Sequence, residues 1–424
     1  MQFYTRPHAP GGITPGLSSG SQRNVTAPTP FRPCPTCAAS ERRPLHQQRF
    51  ESLANISLLR GYDVVACEVC GLVFADRIPP DEAFARYYTL ASKYEFSHRS
   101  GVQHEAEQRR LATLAGRIAE LAPTSQRLLD IGCATGELLV ALREFGYSDL
   151  TGLDPSATCA RYARDMHGLT MIQQTLGARP MDIEPFRIVV LSAVLEHVPG
   201  LHAFLECVKQ WLTRDGLLVI EVPDAERFAT AFNAPFQEFS VEHINFFSAR
   251  ALDNLLGVHG WTRVATYQEL CSAGGNLTSP VLTAMFRGGA EPIATVRESV
   301  SETGVRAYLE ACRNSEQVER DVIEKLVESQ APVLIWGVGT LCQRLLATTR
   351  LGSANIRAFV DSNPHYQGST LVGRPVLPPA DLRGHAEPIL VLSWGFFDEI
   401  RSQLRDDLGL ANTIIRIDRI DADE

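Results

Sequence analysis

Between residues 127 and 223 the chain alternates two hydrophobic rhythms. RLLDIG, DLTGLD, FRIVVLSAV and GLLVIEVP are short apolar runs, which predict buried strands. ELLVALREFG, CARYARDMHG and LHAFLECVKQWL space their apolar residues three and four apart, which predicts helices with one buried face. Strand and helix in alternation predict a doubly wound α/β sheet. The rhythm returns in APVLIWGVG, CQRLLATTRLG, IRAFVDSNP and PILVLSW, so a second, smaller α/β unit is expected up to the C-terminus. Between the two, residues 290–330 are polar and helix-prone and read as a connecting helix pair rather than a core element. Upstream, residues 102–121 carry apolar positions at helical spacing. Residues 1–30, rich in Gly, Pro, Ser and Thr, hold too little apolar content to offset the entropy of ordering and are expected to be a flexible leader.

A length of 424 residues is too great for one ordinary core. The expected division is a leader at 1–30, a small cysteine-bearing unit at 31–100, an α/β core at 101–288, linking helices at 289–330 and a second α/β domain at 331–424. No run approaches the roughly 18 to 20 apolar residues that a spanning helix needs, so a membrane protein is not expected. Lys and Arg number 40 against 49 Asp and Glu, a net charge of −9, which works against a phosphate-tracking surface and hence against nucleic acid as a partner. The start, MQFYTRPHAPGG, has no apolar leader segment, and the expected compartment is the reducing cytoplasm.

Ten cysteines acquire meaning from their positions. Cys34 and Cys37 in PCPTCA, with Cys67 and Cys70 in ACEVCGLVF, form two C-x2-C pairs. Four soft thiolates in two knuckles match the tetrahedral demand of Zn2+, and with every position filled by protein the metal is structural. Gly71 supplies the backbone freedom a knuckle turn needs. A redox dithiol and ordinary core packing are the other readings of these pairs.

LLDIGCATGELL places a Gly-rich turn between a strand and a helix, with Asp130, Gly132, Cys133 and Gly136 at its centre, and Asp154 ends the next strand. A dinucleotide site would show G-x-G-x-x-G, and here only G-x-x-x-G is present. A carboxylate at the strand end repels phosphate and suits an ammonium group, so the expected ligand is a nucleoside carrying an amino-acid tail. These residues resemble the motif of class I S-adenosylmethionine-dependent methyltransferases. The resemblance implies that Asp130, Gly132 and Gly136 line the methionine end, with Cys133 in the same turn, and that Asp154 holds the ribose. LSAVLEHV, with Glu196 and His197, also resembles that superfamily's fourth-strand motif.

A methyl donor needs a nucleophile. FQEFSVEHINFFS holds Glu242 beside His243, an imidazole suited to proton removal with a carboxylate to orient it, although both could instead cap local structure. Tyr87, Tyr88 and Tyr94 cluster in FARYYTLASKYEF, where a hydroxyl could stabilise a developing oxyanion or the rings could form a hydrophobic seam. Further on, Gly337 and Gly339 precede Asp361, but Cys342 stands where the third glycine of a dinucleotide fingerprint belongs. An NAD-binding reading of that turn stays weak. Trp394, Asp398 and Glu399 in SWGFFDEI are further candidates for a cleft.

The order of parts resembles the nucleotide-sugar C-methyltransferase family: a four-cysteine unit, a methyltransferase core with a Glu-His loop, the GGNL segment at Gly274–Leu277, and a final domain containing LIWGVGT, FVDSNPHYQGSTLVGRPV and VLSWGFFDEI. The resemblance implies methyl transfer to a sugar carbon beside a ketone, with His243 as base, Glu242 beside it and a tyrosine such as Tyr94. It also implies a nucleotide-linked sugar as small-molecule acceptor and a final domain without a cofactor of its own. The family's Tyr-His-Glu-His stretch reads Ser240, Val241, Glu242, His243 here. O- or N-methylation of another acceptor is the alternative chemistry, and a zinc-ribbon binding module with degenerate nucleotide domains is the non-enzymatic one.

Overall fold

The computed structural model describes residues 31–53, 58–90 and 105–419. Tyr94 and the leader at 1–30 lie outside the described residues. The cysteine-bearing unit is a meander of β1 (Arg42–Arg49), β2 (Gly61–Cys67) and β3 (Val73–Asp76), each antiparallel to the next. All four residues of β3 are buried, because β3 is not an edge of its sheet.

The core sheet is built from β4 (Leu128–Ile131), β5 (Leu150–Leu153), β6 (Thr170–Ile172), β7 (Phe186–Ser192) and β8 (Leu212–Pro223), all parallel. β9 (Asn245–Phe246) leaves this sheet, and the hairpin of β10 (Thr262–Gly274) and β11 (Leu277–Arg287) closes one edge, giving the order β10-β11-β8-β7-β4-β5-β6. β7 reads as a continuous apolar run because helices cover both faces: Ile188, Val189, Val190 and Leu191 are all fully buried. Each such side chain contributes about 1.5–3 kcal/mol relative to exposure. The strand order reverses between β4 and β7, and in an open α/β sheet the cleft beyond the carboxyl ends at that point is the natural ligand site.

β9 pairs instead with β3, so the sheet of the cysteine unit runs β1-β2-β3-β9 and takes its fourth strand from the core's own loop. Ala75 donates its amide to Ile244 at 2.8 Å, the Gln48 side chain donates to the carbonyl of Phe239 at 2.9 Å, and the Tyr62 hydroxyl donates to that of Ser240 at 2.9 Å.

The second α/β domain comprises β12 (Val333–Trp336), β13 (Ile356–Val360), β14 (Thr370–Leu371), β15 (Arg374–Leu377), β16 (Ile389–Val391) and β17 (Ile414–Arg416), in the order β14-β15-β13-β12-β16-β17. Only β14 with β15 is antiparallel. The expected pair of linking helices is a single helix of 30 residues, Val300–Ser329. It is also a core element: Val305, Tyr308 and Leu309 pack with the cysteine unit, and Val322, Ile323 and Val327 pack with the second domain. Between these two apolar stretches its buried face continues through Cys312 and Glu319. At the tip of the β10–β11 hairpin, Gly275 (φ +53°) lies so close to the Gly395 carbonyl that a Cβ would sit 2.2 Å from the oxygen, and Asn276 donates its amide to the same carbonyl at 3.2 Å. This contact docks the second domain on the core.

Candidate active site

The two cysteine pairs converge. Cys34 and Cys70 sulfurs lie 3.5 Å apart, as do those of Cys37 and Cys67, and all four fall within 4.8 Å of one another. Tetrahedral zinc with Zn–S bonds of about 2.3 Å requires sulfurs roughly 3.8 Å apart, so the cluster is compatible with a zinc site. None of the ten cysteines forms a disulfide.

At the carboxyl end of β4 the Gly-rich turn takes left-handed backbone at Gly132 (φ +77°), Ala134 (φ +46°) and Gly136 (φ +85°). A Cβ on Gly136 would meet Leu169 at 2.3 Å, so this glycine lets the helix Glu137–Glu144 pack on its neighbour. Asp154 reaches back to the turn: one carboxylate oxygen accepts the Ala134 amide at 2.9 Å and the other accepts the Ser156 amide at 2.8 Å. Beside them lies a cavity of about 500 Å³ lined by Gly132, Leu153, Asp154, Leu176, Val194 and Phe204, among others. Asp130, Cys133 and Gly136 stand behind this wall and shape the turn. Burial and the neighbouring Asp154 charge push the Asp130 carboxyl up to about 7, with Arg110 acting in the opposite sense. Arg110 is itself anchored on Glu221, whose oxygen also accepts the Ser192 hydroxyl at 2.9 Å. Cys133 is buried with its thiol pushed far up by burial, which makes it an unreactive packing group.

The Glu-His loop closes the far side of the cavity. The Ser240 hydroxyl accepts the amides of Glu242 at 3.3 Å and His243 at 3.1 Å, which fixes the bend that carries both residues. Glu242 is buried and its carboxylate accepts the Tyr87 hydroxyl at 2.8 Å. Burial and the Glu242 charge push the Tyr87 phenol far above its ordinary range, so it stays a hydrogen-bond donor. His197 is bonded through Nδ1 to the Glu242 carbonyl at 3.1 Å, its Nε2 lies 3.9 Å from Glu196, and its ring meets that of His243 edge-on at 4.9 Å. Tyr88 packs against Tyr87 and His197. The sequence-stated candidates Tyr87, Glu196, His197, Glu242 and His243 are therefore one constellation.

A second cavity, about 450 Å³, opens on the other side of this wall. Glu238, Ser240, Glu242 and His243 line it from the loop, Leu277 from the hairpin, and Thr340, Tyr366 and Trp394 from the second domain. Glu242 lines both cavities, His197 the first and His243 the second. Trp394 is held by its indole N–H donating to Glu319 at 3.2 Å, and Glu319 is buried in an ion pair with Arg344. Glu238 escapes a linear reading of the chain; its one signal is an acid set among the aromatics of FQEFSVEHINFF. In the second domain, Val338 donates its amide to Asp361 at 2.9 Å and Asn363 donates to the same carboxylate at 2.8 Å, which repeats the Asp154 arrangement. Cys342, at the position of a third glycine, is buried, and a thiol there fills the close approach that a dinucleotide turn needs.

Comparison with known proteins matches residues 102–266 to the family described as Methyltransferase domain and residues 296–414 to that described as C-methyltransferase C-terminal domain. C-methyltransferase NovU of Streptomyces niveus is 29% identical over 357 residues, 80% of this chain and 81% of its own length. A ubiquinone biosynthesis O-methyltransferase of Glaesserella parasuis serovar 5 (strain SH0165) is 32% identical over 22% of this chain and 44% of its own, so the chain spans less than half of that relative. Among solved structures, magnesium protoporphyrin IX methyltransferase (ChlM) from Synechocystis PCC 6803 with bound SAH is 15% identical, with a TM-score of 0.37, covering 49% of this chain and 100% of that one.

Proposed function

For a chain that is an S-adenosylmethionine-dependent methyltransferase with the C-terminal domain of C-methyltransferases, we propose that the reaction is methylation of a carbon beside a ketone on a nucleotide-linked deoxysugar. One observation carries the reading. Glu242 lines both cavities and His243 the second, so a base on this loop faces the acceptor with the donor cavity on the other side of the neighbouring carboxylate.

The donor fits the first cavity. Leu153, Leu176 and Phe204 offer apolar walls to adenine, and a carboxylate accepts about four hydrogen bonds, so Asp154 can receive ribose hydroxyls beside the two amides it already holds. Asp130, buried and carrying an elevated pKa, is relieved by an ammonium nearby. When bound, S-adenosylmethionine supplies an electrophilic methyl carbon. His243 takes the proton from the carbon next to the ketone, Glu242 orients the imidazole, and Tyr87 fixes Glu242. Tyr94, outside the described residues, remains a proposed partner in this chemistry. The second domain holds the sugar nucleotide against the wall, with the first turn of the helix Thr340–Thr348 at the cavity where backbone amides meet phosphate charge. Zinc in the four-cysteine cluster fixes the sheet that carries the loop.

Incubation with methyl-labelled S-adenosylmethionine and a panel of nucleotide keto-sugars, followed by NMR of the product, tests the proposal. A new C–CH3 signal supports it. An O–CH3 or N–CH3 product replaces it with the alternative chemistry.

A further inference from the structure

We propose that Glu238 is a catalytic residue that, as a neutral carboxylic acid, donates a hydrogen bond to the acceptor oxygen that becomes negative on enolisation. The inference rests on the enolate reading above and deepens it. Glu238 is partly buried, lines the same cavity as His243 and Glu242, and among the described residues no hydrogen bond or ion pair engages its carboxyl; only its backbone amide is bonded, to the Tyr308 oxygen at 3.1 Å. A polar group left without an internal partner at a cavity wall is set to meet a ligand.

An enolate needs an O–H or N–H donor where its charge develops. The loop has Ser240 and Val241 where the sequence motif it resembles has Tyr and His; the Ser240 oxygen accepts two of the loop's own amides, which ties its short side chain to the bend although its proton stays available. Three nearby phenols are committed: Tyr62 to the Ser240 carbonyl, Tyr87 to Glu242, and Tyr308 to the Ala234 carbonyl at 3.3 Å; Tyr366, across the cavity on the second domain, is the competing donor. Glu238 stands two residues before Ser240 and supplies an O–H to the same space.

Burial favours the protonated form of Glu238. Tyr308 and Cys312 face it from the helix Val300–Ser329, Glu242 and His243 from its own loop, and Tyr366 and Cys342 from the second domain; Arg344 acts on Cys312, and among the described residues no Lys or Arg lines the cavity. Burial pushes the carboxyl up to about 7. A carboxylic acid kept neutral by an apolar, cation-free site is an effective oxyanion donor. The step balances without a further reagent. The proton leaves the acceptor carbon for His243, the carbon pair attacks the methyl carbon, the C–S electron pair stays on sulfur, and the Glu238 proton remains shared until the ketone re-forms.

The experiment follows exchange of the acceptor C–H for solvent deuterium by NMR, using full-length protein, no methyl donor and the keto-sugar nucleotide found by the panel. Wild type, Glu238→Gln, Glu238→Ala and Tyr366→Phe are compared across about pH 5.5–9, with S-adenosylhomocysteine affinity and thermal unfolding measured to confirm that each variant folds. Expected are a fall in exchange of about 10²-fold in Glu238→Ala and partial recovery in Glu238→Gln, whose amide still donates. Wild-type exchange declines above about pH 7 as the carboxyl ionises, and Glu238→Gln lacks that decline. Equal rates in wild type and Glu238→Ala, a decline that persists in Glu238→Gln, or a loss confined to Tyr366→Phe overturns the proposal. Wild type that exchanges no keto-sugar proton and methylates oxygen or nitrogen overturns the enolate reading itself, which is visible before any variant is compared.

Discussion

The Tyr87 hydroxyl donates to the Glu242 carboxylate at 2.8 Å across 155 positions of sequence, joining a helix that follows the cysteine unit to the loop that ends in His243. Tyr87→Phe should lower kcat about tenfold, because a hydrogen bond to a charged group is worth about 1.5–3 kcal/mol and part of that holds the loop geometry. Cofactor affinity should stay unchanged. Steady-state kinetics with calorimetry checks both, and an unaltered kcat removes Tyr87 from the site.

Asp154 and His243 should separate binding from chemistry. Asp154→Ala is expected to weaken S-adenosylhomocysteine binding by about 10- to 100-fold, the value of charge-assisted hydrogen bonds. His243→Ala is expected to bind normally and to lose about 10²- to 10⁴-fold in turnover, the usual span for general base catalysis. Full turnover in the second variant would falsify the base assignment.

Elemental analysis of purified protein should return about one zinc per chain, the stoichiometry of a four-thiolate tetrahedral site. Cys37→Ser should lose metal and turnover together, since β9, directly after the proposed base His243, is a strand of the cysteine-bearing sheet. A metal-free variant with full turnover would show that the sheet holds without zinc.

Stability should depend on pH through Asp130. Its carboxyl is raised to about 7 in the fold, against about 3.9 in an unfolded chain, so its contribution is complete below about pH 4 and is lost as pH rises through 7. Asp130→Asn should flatten the decline between those values in urea unfolding of the cofactor-free protein. A slope equal to that of wild type would place the titration elsewhere.

The Gly-rich turn, Asp154 and the cysteine pairs are legible in the sequence because each is a local device with a fixed spacing. The strands are legible for the same reason: a covered parallel strand such as β7 needs an unbroken apolar run. The helix Val300–Ser329 is not. Its polar composition suggests a linking pair rather than one core helix, yet Gly304 sits where the helix crosses residues 225–226, and a Cβ there would lie 2.4 Å from the Ala225 carbonyl. Close backbone approach, not a break, requires that glycine. Glu242 and His243 stand out as a pair, but their link to Tyr87 and the cavity face of Glu238 depend on long-range packing that no linear pattern records.

Arg32 donates to the Ile244 carbonyl 212 positions away, alongside the pairing of β3 with β9, and this has a consequence for biosynthesis. The meander leaves the ribosome before the core, with the buried strand Val73–Asp76 at its open edge until residues 245–246 arrive. During that interval the edge is a template for wrong partners. The last piece needed to cap it follows directly on His243, so protection of the nascent chain and assembly of the wall between the two cavities are the same late event.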